Sequence, residues 1–505
     1  MTIELDATAA SLAQAPAGLL VLPCFTAREA GAWPAAGPGV AQASQALGAD
    51  LAGLLSGQSG FAGEVGQTAQ TLTLGRLPAA RILLLGLGDQ DEAGPAQVRQ
   101  AAMMAAAELA SAPVVATTVP AALGTDAAAE AASAFAEGLL LGAWRFGRYK
   151  RRPLDRESLR PPSLVRLLVL TDETGTPAAR AGLRRGELLA RTTNWVRDLV
   201  TTPSADLTPE DMAGQARDLA AGSGLTCLVL GGAELASGGF GGILGVGQGS
   251  AHEPRLVELG YRGGGDAPVI ALTGKGITFD SGGLSLKVTS EIEWMKSDMA
   301  GAATIMAVLR AAAELSLPVN LDAALPFAEN MPGGSAIRPG DVLTHRGGRT
   351  SEVLDTDSEG RLVIADALAY LAERSPAALV DVATLTDAAG LGDALFAAMG
   401  NDRPLLDAVL AAGEMAGDPG WPLPLPPAYL RYLESPVADL RNVPKGVPDS
   451  TVLAGLFLSQ FAGEVPWVHI DNGSVAYLEE ATDCWPEGAT GSPARALLRW
   501  IEGVR

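Results

Sequence analysis

The feature of this sequence that most constrains its fold is an alternation of short apolar runs with helical segments. Strand-like runs lie at Val269–Thr273, Asn320–Phe327, Ala378–Leu385 and Trp467–Asp471, and helical segments at Met299–Leu315 and Leu362–Arg374. This alternation favours a mostly parallel β-sheet that is flanked by helices on both faces. Ligands of such sheets bind beyond the carboxyl ends of the strands. Polar residues at those ends are therefore the first candidates for a functional site.

The first third of the chain predicts a separate, smaller α/β unit. Apolar runs at Ala80–Gly86 and Leu164–Leu170 are typical of strands, and the Ala-rich segments Gln97–Leu109 and Ala127–Leu141 are typical of helices. A turn-rich segment, TDETGTP, then leads into a long helix predicted over about 177–199, with proline in its first turn. We therefore predict a small N-terminal α/β domain at 1–175, joined by this helix to a larger C-terminal α/β domain at 176–505.

Charge and composition exclude several classes of partner and of metal site. With 36 Lys and Arg residues against 57 Asp and Glu residues, the formal net charge is −21. A surface this acidic argues against nucleic acid or an anionic membrane as partner. Three Cys and three His residues are too few for a thiolate or His-rich metal cluster, so a metal site would rest on carboxylates. The first residues lack the basic start of a signal peptide and no apolar run has membrane-spanning length, so we expect a cytoplasmic protein.

Two motifs place charged residues at predicted strand and helix ends. The glycine-rich loop TGKGITFDSGGLSLK (273–287) carries Lys275, Asp280 and Lys287, either as surface charges or as part of a site. A phosphate-binding P-loop fits poorly, because no Ser or Thr follows the lysine of GKG and the upstream glycine is missing. Asp298 stands where a helix begins, and it either caps that helix or points at a cation in the crevice.

The third motif, LDTDSEGRLVIADAL (354–368), is the strongest. Asp355, Asp357, Glu359 and Arg361 alternate with period two, which in an extended chain places all four side chains on one face. The segment is either a solvated charged loop or a group of carboxylates that needs a cation among them. Its apolar flanks favour the second interpretation.

The carboxylates of the three motifs match a dinuclear site in charge. Asp280, Asp298, Asp357 and Glu359 supply four negative charges, which two divalent cations would balance. A pair of cations ~3.5–4 Å apart lowers the pKa of a shared water and polarises a carbonyl. The sequence therefore predicts two-metal hydrolytic chemistry.

Three basic residues would complete such a site. Lys275 can be a nitrogen ligand if its amine is neutral, which nearby metals favour. Lys287 would remain charged and suits the stabilisation of an oxyanion. Arg361 lies at the start of the following helix and can hold an anion together with the N-terminal N–H groups.

Together these motifs resemble those of the leucyl aminopeptidases, also called cytosol aminopeptidases, a family of dinuclear-metal exopeptidases. The family signature NTDAEGRL corresponds to DTDSEGRL at 355–362. Further matching segments are GKGITFDSGG at 274–283, MKSDMAGAA at 295–303, NMPGGSAIRPGDVL at 330–343, VRDLVTTPSADLTP at 196–209 and EGLLLGAWRFGRYK at 137–150. The resemblance thus extends over nearly the whole chain.

The resemblance implies how two divalent cations, Zn²⁺ or Mn²⁺, would be bound. Asp280 and Glu359 would bridge them. Lys275 and Asp298 would complete one metal position, and Asp357 the other. The resemblance also implies peptide substrates and a homohexamer.

The resemblance implies roles for five other residues. Lys287 would stabilise the tetrahedral intermediate, and Arg361 would hold a bicarbonate that acts as general base. Met295, Thr384 and Asp387 would lie at the substrate pocket. Asp387 replaces a glycine of the family, and it either turns away to cap the next turn or faces the pocket and pairs with Arg or Lys of the substrate.

The resemblance thus predicts a metal-dependent aminopeptidase that releases N-terminal amino acids by attack of a metal-bridged hydroxide on the scissile carbonyl. Its preference would be broad or for Arg and Lys, rather than strictly for Leu. Ala300 and Asp355 also depart from the family pattern. Two alternatives stay open at this point: a two-metal phosphoesterase, and a hexameric scaffold that binds DNA.

Overall fold

The computed structural model describes residues 3–28, 32–151, 163–288 and 292–504. The chain divides into two compact units, Met1–Asn194 with Thr482–Trp485, and Trp195–Ala481 with Pro486–Arg505. The division along the chain therefore falls within the long helix, Thr176–Thr201. The boundary near residue 175 stays a prediction.

The first unit contains the elements of a small mixed α/β fold. Its strands are β1 (Glu4–Thr8), β2 (Leu19–Phe25), β3 (Ala35–Ala36), β4 (Thr68–Leu72), β5 (Arg81–Gly86), β6 (Val114–Thr117) and β7 (Arg166–Leu170). Its helices are α1 (Val40–Leu47), α2 (Leu51–Ser59), α3 (Pro95–Met104), α4 (Ala106–Leu109), α5 (Ala128–Gly142) and α6 (Thr176–Thr201), the last of which continues into the second unit.

The sheet of the first unit has the strand order β1-β7-β6-β2-β5-β4, with β3 paired to β2. The pairings are parallel except for those of β3 and β4. Strand β2 is buried along its whole length, as expected when helices cover both faces of a sheet. The helix predicted over 97–109 is interrupted at Ala105, which separates α3 from α4.

The second unit is larger and contains the elements in which the charged motifs lie. Its strands are β8 (Thr226–Leu230), β9 (Arg255–Arg262), β10 (Val269–Gly274), β11 (Gly276–Asp280), β12 (Asn320–Asn330), β13 (Val342–Thr344), β14 (Thr350–Glu352), β15 (Ala378–Ala383), β16 (Phe396–Gly400), β17 (Gly420–Pro422), β18 (Leu440–Arg441), β19 (Trp467–Asp471), β20 (Tyr477–Leu478) and β21 (Gly488–Ala489). Its helices are α7 (Pro209–Ser223), α8 (Gly232–Gly238), α9 (Gly241–Gly247), α10 (Ala300–Glu314), α11 (Gly360–Ala372), α12 (Arg403–Ala416), α13 (Thr451–Ala462) and α14 (Ala494–Gly503).

The main sheet of the second unit has the order β17-β16-β19-β15-β10-β12-β9-β8, with β11 paired to β12. Its central strands β19, β15, β10 and β12 pair in parallel. Alternate residues of β10 face two separate cores: Ile270 and Leu272 pack in the core that contains α10, and Ala271 in the core that contains α11. The predicted mostly parallel sheet with helices on both faces is confirmed.

This topology places the candidate residues at one edge of the sheet. Asp280 ends β11 and pairs in register with Asn330, the last residue of β12. Thr384 follows β15, and Asp471 ends the neighbouring β19. No helix in the described ranges is both long and apolar enough to cross a membrane.

Candidate metal centre and active site

Three carboxylates of the predicted site lie together at the carboxyl edge of the sheet. Asp280, Asp357 and Glu359 each offer one oxygen, and the three oxygens lie within 4.8 Å of one another. Asp280 ends β11, Asp357 lies in the turn before α11, and Glu359 is the N-cap residue of that helix without capping it through its side chain. Asp280 and Glu359 are buried, and Asp357 is half-buried.

Lys275 connects this group to a fourth carboxylate. Its Nζ lies 2.8 Å from Asp298 Oδ2 and 2.7 Å from Glu359 Oε1, and it donates a 3.0 Å hydrogen bond to the carbonyl oxygen of Thr384. The Thr384 hydroxyl in turn donates to Asp298 Oδ1 at 2.7 Å. Asp298 does not cap α10, whose N-cap residue is Met299. Asp298 is therefore not the cap of α10, and its role as a metal ligand stays a prediction.

Lys287 faces the other side of the carboxylate group. Its Nζ lies 2.9 Å from Asp280 Oδ2 and 2.7 Å from Asp357 Oδ1. Its side chain is 21% exposed, whereas that of Lys275 is 5% exposed. Lys287 is therefore the more solvent-accessible of the two lysines.

Burial and mutual repulsion shift the pKa values of the acidic groups upward. Burial, and then the charge of Asp280, raises the pKa of Asp357 to about 7. Burial also raises the pKa values of Asp298 and Glu359, and neighbouring carboxylates add to both shifts. These groups ionise together only if positive charge balances them.

The two lysines of the site keep their protons. Burial lowers the pKa values of Lys275 and Lys287, but the nearby carboxylates outweigh it and raise both pKa values. The two ammonium groups supply two positive charges against four carboxylates. Further positive charge is therefore favourable here.

The oxygen atoms of this cluster pass a simple test for cation binding. Four buried carboxylate oxygens have no hydrogen-bond donor beside them other than a lysine ammonium group: Asp298 Oδ2, Asp357 Oδ1, and both oxygens of Glu359. Three of them lie 2.7 to 2.8 Å from a lysine Nζ. Buried carboxylate oxygens without hydrogen bonds are costly unless a cation binds them. The residues present therefore fit divalent cations.

Backbone geometry brings the glycine-rich loop against the signature turn. Gly282 has a φ of +85°, and a Cβ there would lie 2.8 Å from Asp357 Oδ1. The Thr356 hydroxyl donates to the Gly282 carbonyl oxygen at 2.6 Å and accepts from Ser285 N at 2.8 Å. Asn330 Nδ2 donates to Asp280 Oδ1 and to the Thr356 carbonyl oxygen. Thr356 and Asn330 were not predicted as site residues, although both lie in segments that match the family.

The expectation that Asp355, Asp357, Glu359 and Arg361 share one face is wrong. Residues 353–359 are not extended but contain a turn at Thr356 and Asp357, and the Thr356 hydroxyl is bound to the neighbouring loop. Asp355 Oδ1 accepts from the backbone N–H of Asp357, and Oδ2 accepts from Ser358 Oγ. Asp357 and Glu359 thus reach the cluster while Asp355 stabilises the turn.

Arg361 has partners other than the carboxylate cluster. Its side chain is 2% exposed, Nη1 donates to the Asn442 carbonyl oxygen at 2.6 Å, and Nη2 donates to Asp449 Oδ2 at 2.7 Å. Its Nε has no hydrogen-bond partner. Neither Asn442 nor Asp449 was predicted from the sequence.

The three residues predicted to lie at the substrate pocket differ in their contacts and in their burial. Thr384 lies in the site through its contacts with Lys275 and Asp298, and Met295 is half-buried in the turn that precedes Asp298. Asp387 is exposed, and its Oδ1 accepts from Ala389 N at 3.1 Å. The structure therefore shows Asp387 capping the following turn.

A buried carboxylate anchors the loop that carries Thr384. Asp471 Oδ2 accepts from the Thr386 hydroxyl at 2.5 Å, and Oδ1 accepts from the backbone N–H groups of Leu385, Thr386 and Gly473. Asp471 is fully buried. Its hydrogen bonds to Leu385 and Thr386 therefore hold this loop in position.

The three histidines lie outside the carboxylate group. His469 Nδ1 lies 2.6 Å from Asp381 Oδ1, and His252 Nδ1 lies 3.0 Å from Glu329 Oε2. His345 contacts Asp366 and Ser351. The side chains of His345, Asp366 and Ser351 are buried, so a substrate cannot reach this Ser-His-Asp arrangement.

Comparison with known protein families gives two matches. The model of the cytosol aminopeptidase family catalytic domain matches residues 194–498. The model of that family's N-terminal domain matches residues 21–153.

Individual relatives agree with the family matches. A probable cytosol aminopeptidase of Roseiflexus castenholzii is 42% identical over 447 residues, which cover 87% of this chain and 90% of that protein. One from Streptomyces coelicolor is 40% identical over 487 residues, or 93% of each chain.

Solved structures show the same similarity. The bottromycin maturation enzyme BotP in complex with Mn is 36% identical with a TM-score of 0.83, and the match covers 96% of this chain and 99% of that one. A tomato leucine aminopeptidase mutant is 28% identical with a TM-score of 0.87, covering 100% of this chain and 97% of that one.

Proposed function

This chain belongs to the cytosol aminopeptidase family and is a metal-dependent aminopeptidase, and from that premise we propose that its site binds two divalent cations, Zn²⁺ or Mn²⁺. The observation that carries the proposal is the group of Asp280, Asp357 and Glu359, whose oxygens lie within 4.8 Å of one another. Glu359 Oε2, which is buried in the same cluster and has no hydrogen-bond partner, supports it. Carboxylate oxygens suit both metals, so availability decides between them.

The ion pairs support an assignment of ligands to two positions. Lys275 contacts Asp298 and Glu359, whereas Lys287 contacts Asp280 and Asp357. The cluster thus has two positions at which a pair of carboxylates surrounds a positive charge. We assign Asp298 and Lys275 to one cation, Asp357 to the other, and Asp280 and Glu359 to both.

Divalent cations in such a site lower the pKa of a water and polarise the scissile carbonyl. The residues of this chain supply the rest of the chemistry. Lys287 is charged and partly exposed, so it is suited to donate hydrogen bonds to the carbonyl oxygen as negative charge develops there. Thr384 orients Asp298 through its hydroxyl and Lys275 through its carbonyl oxygen, and Asp471 fixes the loop that carries it.

The side-chain preference stays a prediction. The capping role of Asp387 supports a broad preference over one for Arg or Lys, because its carboxylate is turned to Ala389 N. Met295 and the loop after Thr384 are the candidates for the first side-chain pocket.

Family membership also supports two proposals about assembly and location. We propose a homohexamer, which sedimentation of the purified protein would test. We propose a cytoplasmic location, because the relatives are named cytosol aminopeptidases.

The test of the proposed function is a substrate panel measured on metal-stripped enzyme and after each metal is added back. Aminoacyl anilides should be hydrolysed only with metal, and a phosphate monoester should not be hydrolysed at all. A matched pair of variants controls for general damage: Asp357→Ala should abolish turnover, while Asp355→Asn should preserve it because its amide oxygen can still accept from Asp357 N. Hydrolysis of the phosphate ester alone would overturn the proposal.

A further inference from the structure

The guanidinium of Arg361 already has an anionic partner from this chain. Asp449 Oδ2 accepts from Arg361 Nη2 at 2.7 Å, and the Asn442 carbonyl oxygen accepts from Nη1 at 2.6 Å. Arg361 is buried, while the Asp449 side chain is 31% exposed. A buried guanidinium requires such a partner, because an unpaired buried charge is costly.

Both partners of Arg361 are held in place by the surrounding chain. Asn442 Oδ1 accepts from Leu354 N at 2.8 Å, and its Nδ2 donates to the Asp355 carbonyl oxygen at 2.6 Å. Asp449 directly precedes Ser450, the N-cap residue of α13, whose hydroxyl oxygen accepts from Leu453 N. The segment from Asn442 to Asp449 is thus anchored at both ends, which positions Asp449 beside Arg361.

The bicarbonate that the family resemblance implies does not fit this arrangement. Asp449 neutralises the charge of Arg361, so a second anion would place two negative charges against one guanidinium. Nη1 and Nη2 of Arg361 already donate to oxygens of this chain, so an external anion would have to share the guanidinium with the Asp449 carboxylate.

We propose that in this chain the Asp449 carboxylate takes the place of bicarbonate as the resident anion on Arg361. The enzyme would then neither bind bicarbonate at Arg361 nor need it for turnover. The activity part of this inference rests on the proposed aminopeptidase function, whereas the binding part does not.

The binding test uses ¹³C-labelled bicarbonate and metal-loaded enzyme, with the NMR line width of bicarbonate as the readout. Wild type and an exposed-acid control, Glu434→Gln, should leave the line unchanged. Asp449→Ala should broaden it, with affinity at least about tenfold above wild type, because it frees Arg361 for an external anion. The isosteric Asp449→Asn variant removes the charge with less change in shape. It replaces Asp449→Ala in the same measurement if the alanine variant does not fold.

The activity test compares buffers depleted of carbon dioxide with the same buffers containing added bicarbonate. Wild-type kcat should be the same in both, whereas kcat of Asp449→Ala should fall at least about tenfold without bicarbonate and recover with it. Specific binding of bicarbonate by wild type, or a wild-type kcat that falls on depletion and recovers on addition, would overturn the proposal. If no form of the enzyme hydrolyses an aminoacyl substrate, the proposed function fails while the NMR measurement still decides the role of Asp449.

Discussion

The side chain of Lys275 passes directly over the α-carbon of Gly360: a Cβ built on Gly360 would lie 2.6 Å from Lys275 Cε and 2.8 Å from its Nζ. A side chain at the first residue of α11 would therefore push Lys275 from the position in which it contacts Asp298 and Glu359. The glycine of the signature motif is thus part of the metal site, although it offers no ligand.

Gly360→Ala should displace Lys275 and weaken metal binding. Loss of the support for one ligand typically costs ~10–100-fold in metal affinity. The measurement is competition with a chelator of known affinity. Gly214→Ala is the matched control in a helix, since no atom lies within 4 Å of a Cβ there. Wild-type metal affinity in Gly360→Ala would contradict this role of Gly360.

Lys287→Ala should lower kcat with little change in KM. Removal of one donor to a developing oxyanion typically costs ~10²–10³ in kcat. Bound metal, measured on the same sample, should stay at the wild-type level. The exposed Lys445 supplies the control variant, Lys445→Ala, which should behave as wild type. A raised KM with normal kcat would assign Lys287 to substrate binding instead.

Metal uptake should release protons, and metal affinity should rise with pH. The pKa of Asp357 is raised to about 7 and that of Lys275 is raised above its usual value, so both hold protons that a cation must displace. Calorimetry in buffers of different ionisation enthalpy counts those protons. Lys275→Met should release fewer protons than wild type. Equal release by the two proteins would rule out Lys275 as a neutral ligand.

Asp387→Gly should leave the ratio of kcat/KM for Arg and Leu substrates unchanged. Asp387 is exposed and its carboxylate caps the following turn, so it contributes no buried charge to the pocket. A fall of the ratio by about tenfold or more, the effect expected from a lost desolvated charge pair, would instead show that Asp387 selects basic residues.

Much of the fold could be predicted from the sequence because the central strands are buried on both faces. Their apolar runs end where the charged motifs begin, so Lys275 and Asp280 could be placed at one edge of the sheet. The period-two argument for Asp355 failed because it assumed an extended chain, whereas the contact of Thr356 with Gly282 imposes a turn.

The surroundings of Arg361 could not be predicted. Asn442 and Asp449 lie 81 and 88 residues further along the chain, in a segment without periodic pattern. Local spacing carries no information about such contacts. The same reason explains why Asp471, 85 residues from Thr386, was not recognised as the anchor of the loop that carries Thr384.

The central claim, a two-cation centre on Asp280, Asp298, Asp357 and Glu359, is tested most directly by counting bound metal. Elemental analysis of purified enzyme, equilibrated with Mn²⁺ or Zn²⁺ and freed of excess ion, should give two cations per chain. Asp357→Ala should bind fewer cations and lose turnover, whereas Asp355→Asn should match wild type in both. Full turnover with one cation or none per chain, or an Asp357→Ala variant that binds two cations and turns over normally, would contradict the account.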